Sequence, residues 1–286
     1  MSSTEHRRVI ITGVGFRESA NAPVDGSVFS TPGLKPNIGA AIALQAARVG
    51  FSVVLVARTS SKLERVRTSI IASEPTSDVI TCATDLLDTQ SVNEFVKNLP
   101  SDLEIDLVHS AGLGAGNYKI PDDNPYLAVD QTPTELPTLE FESVVKTLLM
   151  AIQALLPRWR EQTNTRVVIV SSMSAIRAVP FGFSHSSSKA ALHQAVRSLT
   201  LELNPAGIQV SEVLPGIVDT GFYDSPAVDE VVRRIGRNFG YEYQAGQLPQ
   251  MEPRAVAEAV MLCLTSPAHV LSVSMVAKGQ FPQHGA

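Results

Sequence analysis

A serine, a histidine and a lysine stand where together they could move a proton. Ser171-Ser172 follows an apolar run at 167–170, and Ser184-His185-Ser186-Ser187-Ser188-Lys189 opens a stretch of helical pattern. Residues four apart share a helix face, so His185 and Lys189 project to the same side. An imidazole exchanges protons near ~6.5. A hydroxyl such as that of Ser172 can polarise an oxygen on which charge develops. A second set of residues suits phosphate. Thr12-Gly13 ends the first apolar run, and Asn37-Ile38-Gly39-Ala40 opens a helix. Small residues let backbone approach a pyrophosphate, and a helix N-terminus offers N–H groups and a positive dipole end. Arg58, with Ser60 and Lys62 nearby, follows the second apolar run, and a guanidinium fits a phosphate group.

Alternating strands and helices must position these groups. Strand-length apolar runs recur at 9–11, 53–56, 79–82, 107–109, 167–170 and 209–213, with a polar-interrupted one at 270–276. Helical spacing of apolar residues marks 38–49, 91–99, 141–159, 187–203 and 253–264. That rhythm predicts βαβ units: a doubly wound, seven-stranded parallel sheet in a three-layer α/β/α sandwich, one domain over 1–286. Ligands of such sheets bind beyond the carboxyl ends of the strands. Three stretches break the rhythm: 14–36, with a hairpin-like 24–28; 113–139, rich in proline; and 221–251, with Tyr223, Tyr241 and Tyr243. They are read as insertions and, for 221–251, a substrate lid.

The motifs resemble those of the short-chain dehydrogenase/reductase family over residues 8–276. Gly13, Asn37, Ile38 and Gly39 are similar to its TGxxxGxG loop, with about 20 extra residues inserted and Asn37 in place of the middle glycine. Asparagine tolerates the left-handed conformation a glycine would adopt there. Arg58 stands where an acidic residue would hold the ribose of NAD, so the resemblance implies NADP(H). Asp85 falls at the family's adenine contact, or else serves as a turn or cap. His109-Ser110-Ala111-Gly112 replaces NNAG; Gly112 keeps the close approach to cofactor, and His109 is read as a satisfied strand residue. Pro215, Gly216, Ile217 and Thr220 match PGxxxT, which implies contact with the nicotinamide. The family's catalytic Ser and Lys fall on Ser172 and Lys189, with Lys189 also holding the nicotinamide ribose. Its Tyr position is His185, and Val144 lies near the place of its Asn. The family also implies a homodimer or homotetramer packed through 141–159, 187–203 and the last strand.

His185 therefore either donates the proton or fills the tyrosine's space. An NADPH-dependent reductase of a C=O or C=N bond, or of a conjugated C=C, follows as the leading expectation, in specialised biosynthesis. A non-redox isomerase or cyclase and a non-catalytic NADP-binding regulator are its rivals. Tyr223 could supply a phenol from the lid, or simply pack there. Net charge −5 with no basic stripe predicts a small-molecule substrate and no nucleic acid. No apolar stretch reaches membrane-spanning length. Cys82 and Cys263 are read as buried thiols of a reducing compartment, and the protein as cytoplasmic. His193 is expected to face a neighbouring helix, and His6, His269 and His284 to lie near ends or turns. No histidine pair has metal-ligand spacing, so no metal is expected.

Overall fold

A computed structural model describes residues 7–19, 22, 28–29, 33–112, 126–238, 240, 242 and 247–280. The hairpin-like pattern at 24–28 falls mostly outside the described residues, as do His6, Tyr241, Tyr243, His284 and 113–125 of the second insertion.

Seven strands form the main sheet: β1 (Arg7–Thr12), β4 (Ser52–Ala57), β5 (Val79–Ala83), β6 (Glu104–His109), β7 (Thr165–Val170), β8 (Ile208–Pro215) and β9 (Ser272–Met275). Their order is β5-β4-β1-β6-β7-β8-β9, and every pairing is parallel. Successive strand residues point to opposite faces. Val9 and Ile11 of β1, Val53 and Leu55 of β4, and Val168 and Val170 of β7 join one apolar cluster. Ile10, Val54, Val56, Val167 and Ile169 join another on the opposite face. Both faces are covered, which is why the runs read as continuously apolar. Helices α1 (Ile38–Arg48) and α8 (Pro253–Thr265) pack into the first cluster, and α3 (Thr89–Asn98), α5 (Thr147–Trp159) and α6 (Phe183–Leu203) into the second. The chain is a Rossmann-like α/β domain, as the pattern predicts.

Several elements differ from the sequence reading. β1 begins at Arg7, before the apolar run, because its two arginines are buried in ion pairs: Arg7 with Asp106 and Glu104, and Arg8 with Asp102. The stretch after β1, read as an insertion from the sequence, carries an antiparallel ribbon of β2 (Phe16–Glu18) and β3 (Leu34–Pro36). The helix expected from 141 starts one and a half turns earlier. α4 (Leu136–Phe141) runs through a π-turn, Glu142–Lys146, into α5. Pro137 sits in the first turn of α4, where its missing N–H costs nothing. The segment 221–251 is not all loop: α7 (Pro226–Asn238) buries Val228, Val232 and Ile235. α2 (Ser60–Ser73) follows β4 as the alternation requires. Cys263 is buried, but Cys82 is only half-buried. Among the described residues no helix is long and apolar enough to cross a membrane.

Candidate active site

A cleft of about 600 Å³ lies across the carboxyl ends of β1, β4, β6, β7 and β8. Gly13 closes its floor, and Gly39 packs behind it. Gly13 has φ +72°, and a Cβ there would stand 2.5 Å from the Ser110 carbonyl oxygen. A Cβ at Gly39 would stand 2.8 Å from the Gly13 carbonyl oxygen. Gly39 therefore lets α1 start tight against the β1 loop. It does not line the cleft, which corrects its expected direct place in the phosphate site.

At one end the cleft is lined by Asn37, Ile38, Arg58, Asp85 and Gly112, together with Thr59 and Lys62. Asn37 corrects the left-handed expectation: at φ −80° and ψ 175° it is ordinary extended backbone. It acts as the N-cap of α1 instead. Its Oδ1 accepts from the Ala40 and Gly15 N–H groups, and its Nδ2 donates to the Gly13 carbonyl. The Asp85 carboxylate accepts from the Leu87 N–H at 3.0 Å, so it shapes the turn while facing the cleft. Ser60 is exposed as the first residue of α2 and does not line the cleft.

At the other end stand Ser172, His185 and Lys189. Ser172 Oγ accepts from the Ser174 N–H at 3.1 Å, capping a short turn and holding the hydroxyl at the end of β7. His185 lies in the first turn of α6, its side chain 21 % exposed. Lys189 is buried one turn further on. Burial pushes its ammonium below the usual lysine range, and the carboxylates of Glu140 and Glu212 oppose that shift. Pro215, Gly216 and Thr220 close this end after β8. Ile217 corrects another expectation: it is buried among Val228, Val232 and Leu248, its N–H donates to Gln280 Oε1 at 2.9 Å, and Val218 lines the cleft instead.

Several residues of the site were missed in the sequence. Glu140 on α4 is 2 % exposed, and its Oε1 lies 3.8 Å from His185 Nδ1. That oxygen has no hydrogen-bond partner among the described residues. The spacing of Leu136, Glu140 and Val144 puts this carboxylate on an otherwise apolar stripe, a signal visible in the sequence. Tyr126 meets His185 edge to face at 6.2 Å and Phe222 at 6.2 Å, and Phe222 meets Tyr223 at 5.0 Å. Tyr223 lines the cleft and shares a hydrogen bond with Tyr126; burial pushes its phenol up while that bond pulls it down. The β2–β3 ribbon clasps the segment after β8. Buried Lys35 pairs with Asp219 at 2.6 Å and Asp224 at 3.0 Å, Ser19 hydrogen-bonds Asp224, and Arg17 lies 4.8 Å over the Phe222 ring.

The other described histidines, His109, His193 and His269, have partners of their own. His109 is fully buried between the Thr12 and Thr147 hydroxyls and hydrogen-bonds the Val144 backbone. Burial, reinforced by Lys189, holds its imidazole down to about 3, so it stays neutral. His193 faces strand β8 rather than a helix, with Nδ1 2.6 Å from Glu212 Oε2. His269 meets the Val210 carbonyl at 2.9 Å. No three metal-ligating side chains gather among the described residues.

The short chain dehydrogenase family profile matches residues 32–229, more than half of the chain. An uncharacterized oxidoreductase of Staphylococcus aureus (strain MW2) is 27% identical over 239 residues, 83% of this chain and 90% of that protein. A Staphylococcus epidermidis relative (strain ATCC 12228 / FDA PCI 1200), also described as an uncharacterized oxidoreductase, is 28% identical over 250 residues, covering 87% and 95%. Among solved structures, an alcohol dehydrogenase from the archaeon Thermococcus sibiricus complexed with 5-hydroxy-NADP aligns with TM-score 0.72 at 22% identity, over 97% of this chain and 99% of that one. An NADPH-bound short chain oxidoreductase of Pseudomonas aeruginosa PAO1, described as containing an atypical catalytic center, aligns with TM-score 0.73 at 20% identity, over 97% of each chain. Sequence motifs, sheet order and profile agree: this chain belongs to the short-chain dehydrogenase family.

Proposed function

We propose that the protein is an NADPH-dependent reductase of a C=O or C=N bond, or of a conjugated C=C, in a small apolar molecule. The observation that carries the reading is one continuous cleft with Arg58 at one end and Ser172, His185 and Lys189 at the other.

The residues present fit NADPH. Arg58, Thr59 and Lys62 bring two cations and a hydroxyl to the end of β4, a donor set suited to a 2′-phosphate. Asp85 lies beside them for the adenine end, and the start of α1 at Asn37 and Ile38 suits a pyrophosphate. Lys189 would hold the nicotinamide ribose, and Pro215, Gly216, Val218 and Thr220 the nicotinamide side. Bound NADPH would supply a hydride, the chemistry that belongs to the cofactor.

The rest falls to the protein. The Ser172 hydroxyl is already fixed by the Ser174 N–H it accepts, which leaves its own proton to donate to the substrate's acceptor atom. His185 takes the place of the family's tyrosine and delivers the proton to that atom. Tyr126, Phe222 and Tyr223 form an aromatic wall beside it, which favours flat, apolar substrates.

NADPH consumption against ketones, cyclic imines and enones, followed from about pH 5.5 to about pH 9, tests the role of His185. Turnover is expected to fall as the pH rises and to drop about 10²-fold or more in His185→Ala. His185→Tyr should restore it at higher pH, since a phenol keeps its proton there. An alanine variant with most of its activity would make the histidine a space-filler.

A further inference from the structure

We infer that Glu140 is the positioning carboxylate of His185, holding the ring so that Nδ1 faces the protein and Nε2 faces the substrate. This rests on the proton role proposed for His185 and adds a residue that the family's Ser, Tyr and Lys pattern does not contain.

The carboxylate is out of place unless it serves a charge. Glu140 is 2 % exposed, sits on the buried stripe of α4, and keeps Oε1 without a hydrogen-bond partner among the described residues. A buried carboxylate is costly unless it is paired and hydrogen-bonded. At 3.8 Å, Nδ1 of His185 is within ion-pair range but beyond a hydrogen bond. Catalytic contacts are commonly long before ligands bind and tighten when they do.

The second cation near Glu140 is Lys189. Lys189 also has Glu212, itself 2.6 Å from His193. A counter-ion for the lysine alone therefore does not account for a second buried carboxylate placed beside the imidazole. The other groups around His185 divide by sign. Lys189 and the N–H groups at the start of α6 oppose a positive ring. Glu140 favours one, as does Glu142, which lines the cleft and is tied to Lys146 at 2.9 Å. Tyr126 and Tyr223 present phenols, and His109 stays neutral behind Lys189. Glu140 is the buried member of the negative set and the one within ion-pair range of Nδ1.

The proton count follows. The imidazolium gives its Nε2 proton to the acceptor heteroatom while the neighbouring carbon receives the hydride from NADPH, which leaves as NADP+. The neutral ring keeps its remaining proton on Nδ1, against Glu140, and a solvent proton on Nε2 restores the acid. Without Glu140 the ring is free to turn and the neutral form to carry its proton on either nitrogen, so the nitrogen that faces the substrate is no longer fixed.

The test needs no turnover. In ¹⁵N-histidine-labelled wild-type protein, long-range ¹H–¹⁵N correlations assigned with His185→Gln report which ring nitrogen of His185 holds the proton in the neutral form. Nδ1–H is expected, and Nε2–H overturns the inference whatever the enzyme reduces. Glu140→Gln keeps the shape and removes the charge. In it the fixed Nδ1–H tautomer should be lost and kcat should fall about tenfold or more, with KM and NADPH affinity held. An unchanged tautomer, with NADPH affinity lost instead, would make Glu140 a partner of Lys189 only and overturn the inference. An Nδ1–H ring in a protein that reduces nothing would leave Glu140 in place and remove the reductase reading instead.

Discussion

Lys189→Met is expected to lower kcat/KM by about 10³-fold, the largest single loss in the site. Lys189 is buried with its ammonium toward the cleft, and its charge is held there against desolvation by Glu140 and Glu212. In the proposed reading it grips the nicotinamide ribose and so fixes where the hydride is delivered. Misplacement of a reacting group by about 1 Å can cost about 10²-fold, and the loss of a fixed charge adds to that. Methionine fills the same volume without the charge. kcat should therefore fall far more than NADPH affinity, a split that fluorescence titration of NADPH alongside steady-state kinetics resolves. Arginine is not expected to rescue, because its planar fork cannot replace a compact ammonium in a buried slot. A Lys189→Met enzyme within threefold of the wild type would remove the lysine from the chemistry.

Arg58→Asp is expected to weaken NADPH about 10²-fold and to turn the preference toward NADH. Hydrogen bonds to a charged group contribute about 1.5–3 kcal/mol each, and replacing the guanidinium with a carboxylate exchanges attraction for repulsion of the 2′-phosphate. The same carboxylate could accept from the ribose hydroxyls of NADH. Arg58 is exposed at the mouth of the cleft, so the wild-type preference should also shrink as salt is added. Isothermal titration of both nucleotides into both proteins gives the four affinities. Equal weakening of NADPH and NADH would assign Arg58 to general packing instead.

What could be read from the sequence was local. The strands announce themselves because both faces of a parallel sheet are buried, and the order of the strands follows the family's motifs. Arg58 and Ser172 were legible because each follows the end of a strand, and His185 with Lys189 because they lie four apart on one helix. What depends on distant pairing was not. The three-residue strands β2 and β3 are too short to show a period, so nothing announced that Lys35 would reach Asp219 and Asp224. Tyr126 meets His185 only once the chain is folded. Asn37 was read through the glycine it replaces, when the more ordinary work of asparagine at a helix start was the better guide. α7 was overlooked for its glycine- and tyrosine-rich surroundings, although Val228, Val232 and Ile235 keep helical spacing. Glu140 was overlooked inside a helix read for its apolar residues, where the exception carried the information.

Hydride transfer from NADPH to substrate is the central claim, and deuterium tests it directly. NADPH deuterated at the transferring position of nicotinamide C4 is incubated with the wild-type protein and each reducible substrate, and the product is weighed by mass spectrometry. The account predicts a product heavier than the substrate by one deuterium and one hydrogen, with the deuterium on the former C=O or C=N carbon, or on the β-carbon of an enone. A product of unchanged mass, formed with NADPH left unconsumed, would contradict it and make this chain an isomerase or cyclase on the same fold.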